Sequence, residues 1–297
     1  LLFLLYINDI AKVSDVLFLV LFADDSNVFV NGTNLYTLIE TMNNELAKIV
    51  EWLNSNKLSL NIEKSHYIIF CKKKVHMSEK VSISGNTLEW VRDTKFLGIY
   101  IDERLNWKQQ IIYVKGKVSR GAGILNKARK VLSKASLITL YYSFIYPHLT
   151  YGIEAWGGTF QSYLDCLVKL QKRVIRIINN VGRYESTGPL FRQLDILPLQ
   201  KIYYFRLLSF LYKVEHRMTP ELFQNMFVRN FTIHSYPTRQ SNHFRIPRVN
   251  LESTKQTFKF ISILVYNKTA DVLNYNVSVK QFKSEVKKYL IENYVIM

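Results

Sequence analysis

From Asn34 to Asn54 apolar side chains recur at Leu35, Leu38, Ile39, Met42, Leu46, Ile49, Val50 and Leu53. Steps of three and four place them on one face of an amphipathic helix, with Asn34 as its N-cap. Residues 1–10 are mostly apolar and read as the end of a helix. Val16 to Val30 consists of two apolar runs broken by Asp24-Asp25-Ser26-Asn27, a pattern that predicts a β-hairpin. Short strand-like segments follow at Ser65–Phe70, Val81–Ser84 and Lys95–Ile101, with Gly85-Asn86 as a turn between two of them. After Trp107 the pattern lengthens into helical stretches with few glycines and prolines until about Pro220. Residues 230–252, which hold Pro237 and Pro247, read as irregular, and a last amphipathic helix is predicted over Val279–Glu292. The expected fold class is α+β, with strands and short helices in 1–105, a helical part in 106–215 and a third segment in 216–297. No tandem repeat or low-complexity tract interrupts this order.

Composition narrows the possibilities. The 297 residues are 48% hydrophobic and 14% aromatic, enough to build a core and too much for a long disordered chain. Two cysteines cannot staple a secreted scaffold or form a four-cysteine zinc site. The longest purely apolar run, Val16 to Ala23, falls well short of the ~20 residues a spanning helix needs. The chain starts at Leu1 with no basic leader, so the sequons at Asn31, Asn230, Asn267 and Asn276 read as chance matches. A soluble, basic, intracellular protein is expected, cut from something longer because it opens inside an apolar segment. Charge is one-sided. The whole chain carries +17, yet residues 1–110 hold 12 basic and 13 acidic side chains against 28 and 10 in residues 111–297. Such asymmetry is the footprint of a polyanionic partner, most often nucleic acid.

The sharpest chemical feature is Asp24-Asp25. Two adjacent carboxylates at the tip of an apolar hairpin suit Mg²⁺, which prefers hard oxygen ligands and shares its sphere with water and phosphates. An ordinary Asp-rich turn is the alternative. In the basic part, Lys117, Arg120, Lys127, Lys130 and Lys134 recur at helical spacing and are expected to share one face, with Leu125, Ala128 and Leu132 on another. Lys169, Lys172, Arg173 and Arg176 form a second stripe opposed by Leu167, Leu170, Val174 and Ile177. These stripes are candidate phosphate contacts, or else the solvated faces of amphipathic helices. The many Tyr and Phe of 140–215 read as core rather than as platforms for bases. Other chemistries find no support. The six histidines lack the His-Glu-x-x-His spacing, Cys71 and Cys166 have no Cys-x-x-Cys partner, and Gly121-Ala-Gly123 lacks the Lys-Ser/Thr of a P-loop.

Four segments occur in order: Leu1-Leu-Phe-Leu-Leu-Tyr-Ile-Asn-Asp-Ile10, Phe22-Ala-Asp-Asp-Ser26, Trp52-Leu-Asn-Ser-Asn-Lys-Leu-Ser-Leu-Asn-Ile-Glu-Lys-Ser65 and Lys95-Phe-Leu-Gly-Ile-Tyr-Ile-Asp102. Together with Trp107, Tyr151 to Trp156 and Leu170-Gln-Lys-Arg173, they resemble the reverse transcriptase of a jockey-like non-LTR retrotransposon. The resemblance implies the C-terminal half of a palm at 1–105, a helical thumb at 106–215 and a C-terminal extension at 216–297. It implies that Asp24 and Asp25 bind catalytic Mg²⁺ and that Lys64 is the general acid for departing pyrophosphate. It implies further that Phe96, Leu97 and Gly98 belong to a hairpin that grips the primer end, with RNA template, DNA primer and dNTP as partners. Gln110 departs from the pattern, because relatives commonly carry His there. The family's third carboxylate comes from an upstream strand, and neither Asp9 nor Asp15 is assigned that role. The chain by itself is therefore expected to be inactive; a noncatalytic nucleic-acid-binding remnant or co-opted protein is the rival reading, and a translated relic with no selected role is a third. A nuclear or cytoplasmic location is expected; the family's life cycle implies nuclear access, but Lys72-Lys73-Lys74 is too short to serve as an address.

Overall fold

The computed structural model describes residues 2–71, 79–233 and 240–293; Lys72-Lys73-Lys74 and Pro237 lie outside them. The elements in chain order are α1 (Leu2–Ile7), β1 (Phe18–Phe22), β2 (Asp25–Phe29), α2 (Leu35–Ser55), β3 (His66–Tyr67), β4 (Ser82–Ile83), β5 (Asn86–Thr87), β6 (Glu89–Trp90), β7 (Asp93–Phe96) and β8 (Ile99–Asp102). Helices follow as α3 (Lys108–Ala128), α4 (Lys134–Phe144), α5 (Tyr146–Thr150), α6 (Ile153–Trp156), α7 (Gln161–Asn179), α8 (Thr187–Gln193), α9 (Leu199–Glu215), α10 (Glu221–Gln224), α11 (Glu252–Lys255), α12 (Phe258–Thr269) and α13 (Val279–Glu292). This is a mixed α+β chain, with hairpins first and a largely helical region after them. It divides into two units, Leu1–Lys95 with Asp102–Leu105, and Phe96–Ile101 with Asn106–Met297.

In the first unit, α2 forms as its periodicity requires. The Asn34 Oδ1 accepts from the Tyr36 amide at 2.9 Å, satisfying one of the donors that a helix start leaves open. Ile39, Leu46, Ile49 and Leu53 turn inward and meet Ile7, Ile10, Leu17, Val81, Ile83 and Leu88. Asn43 ties α2 to β4, donating to the Lys80 carbonyl at 3.2 Å and accepting from the Ser82 amide at 2.9 Å. Strands here are short and pair only two at a time: β1 with β2 and β4 with β5 antiparallel, β3 with β6 parallel. The expected strand at Ser65–Phe70 shrinks to His66–Tyr67, and the turn expected at Gly85-Asn86 lies one residue earlier. Ser84 and Gly85 both have positive φ, as a two-residue hairpin turn demands, and Asn86 opens β5.

The second unit is a helical array with a continuous core. Its centre is α3 against α7. Val118 and Leu125 of α3, and Leu167, Val174 and Ile175 of α7, have no accessible surface. Gly121 allows α3 to approach its neighbours, because a Cβ there would stand 2.9 Å from Ile145 and 3.0 Å from the Phe144 carbonyl. Of the Tyr and Phe of 140–215 expected inside, Tyr141, Phe191, Tyr203 and Tyr212 are buried, whereas Tyr142, Phe144, Tyr151, Phe160 and Tyr184 are exposed. Gln171 is the polar keystone. Its Nε2 donates to the Tyr141 hydroxyl at 3.0 Å and the Leu197 carbonyl at 2.9 Å, while its Oε1 accepts from the Leu199 amide at 2.8 Å. Burying an amide is tolerable only when such bonds replace water. Helix α13 has the bounds its periodicity gives, with Ser278 as N-cap. Residues 230–252 contain little regular structure among those described. Two of the sequon asparagines serve the fold: Asn230 donates to the Gln240 carbonyl, and Asn267 exchanges two bonds with the Phe244 backbone.

Candidate functional site

The two carboxylates sit at the end of the β1–β2 hairpin. Phe18 pairs with Phe29 and Leu19 with Val28, and the register runs out to Phe22 opposite Asp25. Ala23 and Asp24 make the connecting turn, Ala23 with φ 53°. Strand side chains alternate between faces, so Leu19, Leu21 and Val28 face the core while Asp25 shares the outer face with Phe18, Phe22 and Phe29. Asp24 and Asp25 are both exposed. Exposed carboxylate oxygens with open coordination suit a Mg²⁺ ion completed by water and phosphate. Among the described residues, no group of three or more His, Cys, Asp or Glu could hold a metal ion. The pair therefore fits part of a Mg²⁺ site and not a complete two-metal site. Lys64 ends a single 3₁₀ turn, Ile62–Lys64, capped by Asn61. It is exposed and forms no ion pair with either aspartate.

The segment Lys95–Ile101, expected as one strand, is a hairpin tip instead. Leu97 has φ 46° and Gly98 φ 83°, so the chain reverses between β7 and β8. Gly98 suits the second turn position on two counts: positive φ is free of strain only for glycine, and a Cβ would meet the Tyr151 ring at 3.2 Å. The tip is held from the helical side. Tyr151 donates its hydroxyl proton to the Leu97 carbonyl at 2.7 Å. The Tyr100 amide donates to the buried Gln110 Oε1 at 3.0 Å, which gives the departing residue of the sequence pattern a structural task. Phe96, Leu97 and Gly98 are half-buried around this anchorage.

The basic residues separate into two groups. Lys117, Arg120 and Lys127 lie on α3, but that helix ends at Ala128, and Lys134 opens α4. Lys130 falls in the turn between, so the expected single face for all five does not exist. Leu132, expected on the apolar face, is exposed. The stripe overran because no Gly or Pro marks the break, whereas Ser133, whose Oγ accepts from the Ser136 amide at 3.2 Å, starts a new helix. Lys117 and Arg120 stand near His148, and burial followed by their positive charge holds that imidazole below its ordinary value of 6.5.

The second group is brought together. Lys169, Lys172, Arg173 and Arg176 project from α7 while Leu167 and Val174 on its other side are buried; Ile177, expected to oppose the cations, is buried but lines the same cleft as they do. These four cations line a cleft of about 770 Å³. Arg129, just past α3, and Arg183, just past α7, join them, and no acidic side chain lines it. Among the described residues none of the six forms an ion pair. Arg176 also donates to the Glu185 carbonyl at 2.8 Å. Sequence periodicity missed Arg129 and Arg183, since both lie outside the helices; basic residues directly after two helix ends were the available signal.

No described helix is long and apolar enough to cross a membrane. No protein-family model and no solved structure matches the chain. Curated relatives do. The RNA-directed DNA polymerase from mobile element jockey of Drosophila melanogaster is 25% identical over 179 residues, 59% of this chain and 19% of that protein. The retrovirus-related Pol polyprotein from type-1 retrotransposable element R1 of Bradysia coprophila is 26% identical over 188 residues, 60% of this chain and 18% of its own length. The probable RNA-directed DNA polymerase from transposon BS of Drosophila melanogaster is 24% identical over 182 residues, with 59% and 20% covered. The chain thus spans about a fifth of the length of the curated relatives it matches. At 24–26% identity, this chain is a distant homologue of RNA-directed DNA polymerases of non-LTR retrotransposons.

Proposed function

We propose that this chain is a C-terminal part of a jockey-like retrotransposon reverse transcriptase. Residues 1–105 are the C-terminal half of the palm, 106–215 the thumb and 216–297 an extension. The observation that carries the reading is Asp24-Asp25 at the exposed tip of an antiparallel hairpin, in a chain with distant polymerase homologues. In the intact enzyme Asp24 and Asp25 would hold Mg²⁺, whose charge would supply activation of a hydroxyl and stabilisation of a pyrophosphate leaving group. Lys64 donates a proton to that pyrophosphate and offsets its charge. Phe96, Leu97 and Gly98 position the primer end, and the cations of the helical unit hold the backbones of RNA template and DNA primer. A nuclear or cytoplasmic location follows from the same reading. The chain alone is inactive, because two carboxylates leave the nucleotidyl-transfer site short of ligands.

The test is primer extension on RNA with Mg²⁺, in two arms. The chain alone gives no product; product that disappears on Asp24→Asn would overturn the claim of inactivity. A chimera carrying residues 1–105 in place of the matching stretch of the jockey polymerase extends the primer. Asp24→Asn in that chimera lowers extension by about 100-fold or more. A chimera indifferent to Asp24→Asn would sink the palm assignment. The exposed cationic cleft favours a second reading, a noncatalytic nucleic-acid-binding remnant, which predicts salt-sensitive binding without any role for Asp24.

A further inference from the structure

The cleft has features that a phosphate-facing helix surface does not need. Six cations surround one concavity, with Ile177 and Val181 as its apolar floor. Crowding like charges without acidic partners costs free energy in the free protein. Fold stability does not account for it, since one cation in the last turn, Arg176, already complements the α7 terminus. Beside Arg183 stands Tyr184, 95% exposed and the most exposed large apolar side chain among the described residues. Tyr142 and Tyr151 are also exposed in 140–215, but at 41% and 57% both keep far more cover than Tyr184. An aromatic ring in full contact with water, next to a cationic groove, is the arrangement that holds single strands: cations follow the backbone and the ring stacks on a base. A duplex keeps its bases stacked inward and offers such a ring no free face.

We infer that the cleft lined by Arg129, Lys169, Lys172, Arg173, Arg176 and Arg183 is a binding site for single-stranded nucleic acid, with Tyr184 as its stacking platform. The inference deepens the polymerase reading by assigning this surface to an unpaired strand, such as template ahead of the duplex or a looped transcript. It needs neither Mg²⁺ nor the Asp24-Asp25 pair, so its failure would leave the primer-extension test untouched. The shared chemistry is a phosphodiester backbone with unstacked bases, and RNA and DNA are separated by experiment.

Fluorescence anisotropy of labelled 15-mers of oligo(U), oligo(dT) and a duplex, with the full chain and EDTA present, reads the site. Single strands bind at least tenfold more tightly than the duplex. The oligo(U) to oligo(dT) ratio then states whether a 2′-hydroxyl is read. Binding of the single strands weakens with salt, with a log–log slope of about −0.7 per phosphate engaged. Lys172→Glu with Arg173→Glu, on the outer face of α7, weakens single-strand binding at least tenfold. The same charge change at Lys280→Glu with Lys283→Glu, outside the cleft, has less than a threefold effect. Tyr184→Ala touches no packed neighbour and weakens binding about fivefold or more. Duplex binding as tight as single-strand binding, an unaffected Tyr184→Ala protein, or equal losses from the two charge-reversed pairs would overturn the inference. Thermal unfolding of each variant shows that the fold is retained.

Discussion

Leu53 on α2 and Leu207 on α9 are both helix leucines turned toward a core, yet Leu207 has no accessible surface and Leu53 keeps 9%. The contrast extends through both units. Among the described residues, every apolar core residue of the first unit retains some exposure, whereas the second unit contains many with none. The first unit also leaves Phe18 67% and Phe22 59% exposed on the outer face of its hairpin, and its strands pair only in twos. Two-stranded pairings are marginal without a packed face. Long helices bury an apolar stripe against several neighbours at once, and α3, α7 and α9 all contribute residues with no accessible surface to one core. Local stability therefore belongs mostly to the helical unit, while the hairpin with the paired carboxylates stands in the looser one.

The largest expected effect tests that contrast directly. Leu207→Ala costs about 4 kcal/mol, because a closed core cannot collapse into the void, and Leu53→Ala about 2 kcal/mol. Hydrogen exchange resolved by unit measures both, and equal costs would break the comparison. Next, Gln171→Leu strands the Leu199 amide and the Leu197 carbonyl and costs about 3 kcal/mol by denaturant unfolding, despite added apolar area. Asn34→Ala removes a cap and costs about 1 kcal/mol, seen as faster exchange across α2 with the helical unit unchanged.

The smallest effect is in pH. A depressed imidazole pKa means that the unfolded chain binds the proton first. His148 thus adds stability above pH 6.5 that is lost as pH falls through its lower folded value. Glu45 behaves similarly in the first unit but at lower pH: its bond from Lys48 holds the carboxyl below its ordinary 4.5, so that contribution persists until pH falls through that lower value. His148→Gln should flatten the stability profile of the helical unit just below pH 6.5 and leave that of the first unit alone.

The parts legible in the sequence are those set by local rules. The bounds of α2 and α13 followed from apolar periodicity and a polar cap, both readable within one turn. The β1–β2 hairpin followed from turn residues between two apolar runs. The tip at Leu97-Gly98 was hidden from the local pattern, and only the family resemblance pointed to a hairpin there, because Leu97 takes a positive φ that its side chain disfavours and contacts such as the Tyr151 bond hold it. The cleft was half legible. Periodicity on α7 gave four of its cations, but Arg129 joins them only because α3 packs on α7, and Arg183 only because the chain past α7 turns back to the cleft.

Helix α7 carries two demands on residues that touch in sequence. Gln171 points inward and is fixed by three hydrogen bonds; Lys172 and Arg173 point outward and touch no acid. Substitutions at the outer positions change what the surface attracts without opening the core, and substitutions at Gln171 do the reverse. Mutational drift can therefore erase or retune the ligand preference of such a helix, leaving a copy that folds as its ancestor did and binds something else, or nothing.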